Sequence, residues 1–340
     1  MQKVGTIKGS EEKRTDQWET LEQSANEAGW IPQQSYEAQV SNFQICPLDQ
    51  KAIKKEKEVW DRYLSVKDHQ RLMYHELFRY EFYEGLFRKG FWGNIEDAIR
   101  KIAFPETSRI VIFSAGTGRD LLKVGLAAGI WKSTAPALIR GTYKEINPKY
   151  FQLVNSCARI MVTEHEPHVY AALEALVDQL IRDGVPDERM VSVRKWDFRY
   201  KSPLVTESQD LVVFALVGNY AKITEQPFIL QEVSRCLKKG GYLVASTMLP
   251  DLNFSKARVG LKKLMIILSS PLWWPIFNKA LPWQVQWGKM AGEMNKTGYW
   301  ENVPAERWME FLKPAGMKPV KIYPAPSSLL PVEVLVARKE

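Results

Sequence analysis

The hydrophobic and polar positions divide the chain into a polar lead, a helical stretch, and a long series of short apolar runs alternating with amphipathic segments. Residues 1–50 are polar and irregular and predict a flexible lead with a short helix or two. Over 51–89 the periodicity becomes helical. A charged run is followed by Trp60, Tyr63, Leu64, Phe78 and Phe82 at spacings that recur every three or four residues, which predicts a cap burying an aromatic face. Residues 95–102 predict a short amphipathic helix. Ile110 to Phe113 is an uninterrupted, mostly β-branched run, the pattern of a strand buried on both faces. Further strands are expected over 137–145, 190–193, 210–217 and 242–247, with helices from Leu121, from Pro148, over 169–182 and over 228–237. A last helix over 309–316 and a strand pair over 318–323 and 332–337 close the chain. Alternating strands and helices imply an α/β chain with a mostly parallel sheet covered on both faces. The expected organisation is a lead over 1–50, a helical cap over 51–104 and a main domain over 105–340 that carries an aromatic insertion at 255–300.

The chemistry-bearing stretch follows the strand at Ile110. Ser114-Ala-Gly116-Thr-Gly118-Arg-Asp120 joins it to the next helix. That order aims backbone N–H groups of a helix N-terminus at whatever lies above the strand end. The two glycines leave the main chain open to close approach. In parallel sheets, ligands bind outside the carboxyl ends of the strands, beside the reversal of strand order.

Composition narrows the classes. The chain has 340 residues, 45% apolar and 25% charged, with a formal net charge of +8, the profile of a globular protein with ample core. The basic residues are interspersed with acids and form no dense tract, which argues against nucleic acid as a partner. Three widely spaced cysteines, Cys46, Cys157 and Cys236, offer no disulfide framework and no zinc spacing, so a reducing compartment is expected. The polar start lacks a signal-peptide core, and no run reaches the roughly 20 apolar residues of a membrane span. The expected location is cytoplasmic.

The ordered features together resemble the class I S-adenosylmethionine-dependent methyltransferases, over about 109–260 and again from 304 to the end. Ser114–Asp120 looks like the family's glycine motif, which holds the methionine part of S-adenosyl-L-methionine. Tyr143-Lys-Glu-Ile-Asn-Pro148 looks like the second motif, whose acid binds both ribose hydroxyls, here Glu145. Trp196-Asp197-Phe198 matches the position where an Asp accepts from the adenine amine and the next residue packs on the ring. Leu237-Lys-Lys-Gly-Gly-Tyr242 is similar to the turn before the fifth strand. The resemblance implies a Rossmann-like seven-stranded sheet and a cofactor site of Ser114, Gly116, Gly118, Asp120, Glu145, Asp197 and Phe198. The acid usually found two residues before the first glycine is absent, since Ile112 and Ser114 stand there. That leaves the cofactor's amino group to backbone carbonyls or to Asp120. The link from Gly118 to Glu145 is longer than usual, which suggests an insertion around 131–137.

The rival for a glycine-rich turn is dinucleotide binding, whose third glycine position is Leu121 here. A pyrophosphate needs that close approach and S-adenosylmethionine does not, so the methyl donor is favoured. Gly218-Asn219-Tyr220 at the end of the fourth strand is where an acceptor would meet the methyl group. Asn219 can bond an amine or carboxylate, and Tyr220 can offer a ring face to a developing cation. This stretch faintly resembles the histidine-betaine type of amino-acid N-methyltransferase. His75, in the aromatic helix, is a candidate base beneath the cap. His165 and His168 lack a third ligand at predictable spacing, so no metal is expected and a solvated loop explains 163–168 better. The apolar, Trp-rich 264–287 stretch fits a pocket lid, a helix pair packed on the core, or peripheral membrane contact. The expected activity is methyl transfer to a small-molecule acceptor. The alternatives are a membrane-surface methyltransferase of a lipid or quinone, and a non-catalytic binding protein of the same fold.

Overall fold

The computed structural model describes residues 91–116, 118–136, 148–165, 167–186, 189–215, 221–248, 301–324 and 332–340, with the single positions Lys51, Lys54, Glu58 and Glu293. The lead, the cap before residue 91 and nearly all of the 255–300 insertion lie outside these residues. So do His75, Glu145, Asn219 and Tyr220.

The described chain opens with helix α1 (Phe91–Arg100) and strand β1 (Arg109–Ile112), followed by α2 (Arg119–Ala127). A small hairpin of β2 (Trp131–Ser133) and β3 (Phe151–Leu153) precedes β4 (Arg159–Glu164) and α3 (Pro167–Arg182). Then come β5 (Val191–Lys195), β6 (Gln209–Phe214), α4 (Gln226–Cys236) and β7 (Leu237–Met248). The end of the chain is α5 (Ala305–Leu312), β8 (Met317–Tyr323) and β9 (Val332–Lys339). Seven strands form one sheet in the order β5-β4-β1-β6-β7-β9-β8, in which β9 alone runs antiparallel to its neighbours. This is the Rossmann-like, mostly parallel sheet of the methyltransferase fold.

Strand alternation assigns the two cores. Ile110, Ile112, Ile160, Val162, Leu211 and Val213 pack beneath α1, α2 and α3, whereas Val111, Phe113, Met161, Val212 and Phe214 pack beneath α4 and α5. Both faces of the central strands are dry, which is why their sequences read as continuous apolar runs rather than alternating ones.

The elements depart from expectation in several places. The strand that pairs with β1 on this side is Arg159–Glu164, in register from Arg109↔Arg159 to Ile112↔Val162; the strand expected over 137–145 lies outside the described residues. The segment around 163–168, expected as a solvated loop, begins inside that strand, with Thr163 and Glu164 both buried. The helix expected to open at Pro148 is a single 3-10 turn, Pro148–Tyr150. Phe151 is drawn at once into the hairpin, opposite Ser133, so helical propensity after Pro148 yields to strand pairing. The last helix, expected over 309–316, is Ala305–Leu312, and the short helix expected over 95–102 runs Phe91–Arg100. The pairing along β6 and β7 jumps from Gln209↔Leu237 to Leu211↔Tyr242, so residues 238–241 loop out as the expected turn, with Gly240 at φ +78°.

The hairpin hangs on one aromatic anchor. The Trp131 indole is buried against α2, and its Nε1 donates to the Leu122 carbonyl at 2.9 Å. Its ring packs directly against Gly125, where a Cβ would come within 2.0 Å of Trp131 Cζ2. Gly125→Ala should therefore expel the indole and cost about 2–3 kcal/mol of stability by urea unfolding. A variant as stable as the parent would show that the hairpin does not depend on this packing.

Candidate functional site

The site is built where β1 and β4 end side by side. Their register brings Thr163 and Glu164 alongside the turn that follows Ile112. That turn is left-handed at Ser114 (φ +50°), Gly116 (φ +56°) and Gly118 (φ +91°). The β4 tip holds it by three bonds. Ser114 N–H donates to Thr163 Oγ1 at 3.3 Å, Ala115 N–H to the Thr163 carbonyl at 2.9 Å, and Gly116 N–H to Glu164 Oε2 at 3.1 Å. Glu164 is 5% exposed, and its other oxygen accepts the His165 N–H at 2.9 Å. The Glu164 carbonyl accepts the Trp196 N–H at 3.0 Å, which joins the tip of β5 to the same point.

The two glycines serve different ends. A Cβ at Gly116 would meet nothing within 4 Å, so the main chain there borders open space. A Cβ at Gly118 would lie 2.6 Å from Leu176 Cδ2 and 2.8 Å from Leu173 Cδ1. Gly118 therefore lets α3 pack onto the turn, and its lack of a side chain opens no path for a ligand. The Ser114 Oγ is buried beside this turn with no hydrogen-bond partner. Asp120 lies in the first turn of α2, where the helix dipole favours an acid.

Asp197 and Phe198 follow β5 and turn inward. Asp197 Oδ1 accepts the Arg199 main-chain N–H at 2.9 Å, and its two oxygens accept the Arg199 guanidinium through Nε at 3.1 Å each and through Nη2 at 2.8 Å. The Phe198 ring stands edge-on to Phe214, centroids 5.7 Å apart, in the core beneath α4. The ring of His165 sits between the two acids electrostatically, its Nδ1 3.3 Å from Glu164 Oε1. Burial disfavours the charged ring, but the carboxylates of Asp197 and Glu164 outweigh both that and the opposing Arg199, and raise the imidazole to about 9. Burial would raise Asp197, yet the Arg199 guanidinium and the His165 charge hold it down at about 2. The result is a compact, charge-balanced group of two acids and two cations.

The structure thus gathers Ser114, Gly116 and Gly118 in one turn, with Asp120 in the first turn of α2 just beyond it, and joins the Asp197 loop to that turn through Glu164. Glu164 and His165 were missed as site residues. Their signal was present, since Ile160-Met-Val-Thr-Glu164 is an apolar run ending in an acid, directly ahead of the helix at 167. Among the described residues no helix is long and apolar enough to cross a membrane.

The raised imidazole and the lowered carboxyl set opposite stability slopes. The folded ring binds its proton more tightly than the unfolded chain does, so its contribution is complete below pH 6.5 and lost as pH climbs through about 9. The Asp197 contribution is present above pH 3.8 and lost as pH falls towards about 2. Urea midpoints should therefore decline between about pH 6 and pH 9.5, and His165→Gln should flatten that decline. An identical slope in the variant would remove the ring from this balance.

No protein-family model and no curated protein matches the chain. Solved structures that align with it include a possible exported protein from Bordetella parapertussis, at 12% identity over 98% of this chain and 99% of that one, TM-score 0.46. A SAM-dependent methyltransferase from Thermotoga maritima aligns at 13% identity over 84% of this chain and 100% of that one, TM-score 0.43. LepI in complex with SAM aligns at 12% identity over 72% of this chain, which spans 46% of LepI, TM-score 0.41.

Proposed function

We propose that this chain binds S-adenosylmethionine at the β1–β4 tip and transfers its methyl group to a small-molecule acceptor by in-line displacement. The observation that carries the reading is the Glu164 carboxylate, buried at the tip of the strand next to β1 and bonded to the Gly116 N–H at 3.1 Å. It lies one strand from the switch point of the sheet, which falls between β1 and β6, because the chain lays β4 and β5 outward on one side of β1 and then crosses to β6 on the other.

The residues present fit the adenosyl group. Open space borders the main chain at Gly116, and the Ser114 hydroxyl is buried there without a partner. In this reading Glu164 takes the ribose hydroxyls, the role that the sequence resemblance gave to Glu145, because Glu164 ends the strand that pairs with β1. The turn from Ser114 to Gly118 borders the methionine end. The cofactor supplies an already activated methyl group on a sulfonium. What the protein adds is alignment and exclusion of water, effects worth up to about 7 kcal/mol when the geometry is favourable. Asn219 and Tyr220, which follow β6 in sequence, are proposed to hold the acceptor; a proton must be removed only if the acceptor carries one.

Titration calorimetry with S-adenosylmethionine tests the assignment. Glu164→Gln should bind at least about tenfold more weakly while keeping a cooperative thermal transition. Full affinity in that variant, or a loss seen with Glu145→Gln in its place, would overturn the assignment of the ribose acid.

A further inference from the structure

The polar groups around the β4 and β5 tips are divided unevenly between core and surface. Asp197 is bonded four times over by Arg199, from the main-chain N–H, from Nε to both oxygens, and from Nη2. A carboxylate offers about four lone-pair positions, so one residue fills them. The Phe198 ring is committed to Phe214 in the core beneath α4. The segment expected to present an acid and a ring to a purine faces the core. His165 is different. Its Nδ1 is buried without a hydrogen-bond partner, 3.3 Å from Glu164 Oε1, while the side chain as a whole is 36% exposed, and it follows directly on the carboxylate that holds the Gly116 N–H.

Resting on the adenosyl reading above, we propose that His165, and not Asp197, is the polar side chain that meets the base of the bound nucleoside and sets base specificity. Glu164 positions the ring through its contact with Nδ1, and Asp197 with Arg199 closes the core behind it. A protonated imidazole has two N–H donors and no acceptor. It can pair with a ring nitrogen or an oxo group of a purine and has nothing to accept from an exocyclic amine. A 6-oxo purine offers an acceptor where adenine carries its amine, so this site tolerates the exchange. A site read by a carboxylate would instead lose a charge-assisted bond and discriminate by about tenfold or more.

The test is calorimetric titration of the full chain with S-adenosylhomocysteine and with S-inosylhomocysteine. The expected result is two affinities within about threefold of each other, both weakened about tenfold in His165→Ala. A wider preference for the adenosyl form would overturn the proposal, because an acceptor must then read the amine. Unchanged affinities in His165→Ala would also overturn it. The paired change Asp197→Asn with Arg199→Gln, which leaves no buried charge unmatched, should keep the ratio of the two affinities; a shifted ratio returns the role to Asp197. If the wild-type chain binds neither compound, the adenosyl reading itself fails, an outcome distinct from selective binding of one.

Discussion

A single buried carboxylate ties the site to the sheet. Glu164 gives one oxygen to the Gly116 N–H and the other to the His165 N–H, while its carbonyl takes the Trp196 N–H. A charge removed from water persists only where hydrogen bonds replace its hydration, and charge-assisted bonds to main-chain N–H groups do this well. The same bonds hold a turn with three left-handed residues, one of them the non-glycine Ser114. Such backbone persists only where its surroundings over-determine it. Here the parallel pairing of β1 with β4 does so, since Ile112 opposite Val162 leaves Thr163 and Glu164 the next groups within reach of the turn.

The charges around that carboxylate follow from the same arrangement. Two acids, Glu164 and Asp197, are balanced by His165 and Arg199. A lone buried acid would be expected to pick up a proton. Set against a guanidinium and an imidazolium, Asp197 stays ionised and the ring stays charged. Away from the site, the edge strand β8 exposes Lys318 and Lys321. Lysines on an edge discourage pairing with another sheet, so the sheet ends there.

Much of this was legible in the amino-acid order. Continuous apolar runs marked β1, β6 and β7, because strands dry on both faces leave no polar alternation to misread. Gly184 and the Gly240-Gly241 pair marked ends and turns that the structure keeps. What could not be read was which apolar run pairs with β1. Residues 137–145 and 159–164 both end in an acid, and local pattern does not distinguish them. The choice is made by non-local pairing and by the Trp131 hairpin that carries the chain from α2 towards β4. The separate roles of Gly116 and Gly118 were equally hidden, since one borders open space and the other lies under Leu173 and Leu176, residues of a helix some fifty positions later. The inward turn of Asp197 and Phe198 depends on Arg199, whose partner within its own loop no spacing rule identifies.

A crystal structure of the chain grown with S-adenosylhomocysteine examines the Glu164-centred site most directly. The ribose hydroxyls should lie within about 3 Å of the Glu164 carboxylate, with the nucleoside over the carboxyl ends of β1 and β4. A nucleoside bound elsewhere, with Glu164 still bonded only to the main chain, would contradict the role given to that carboxylate.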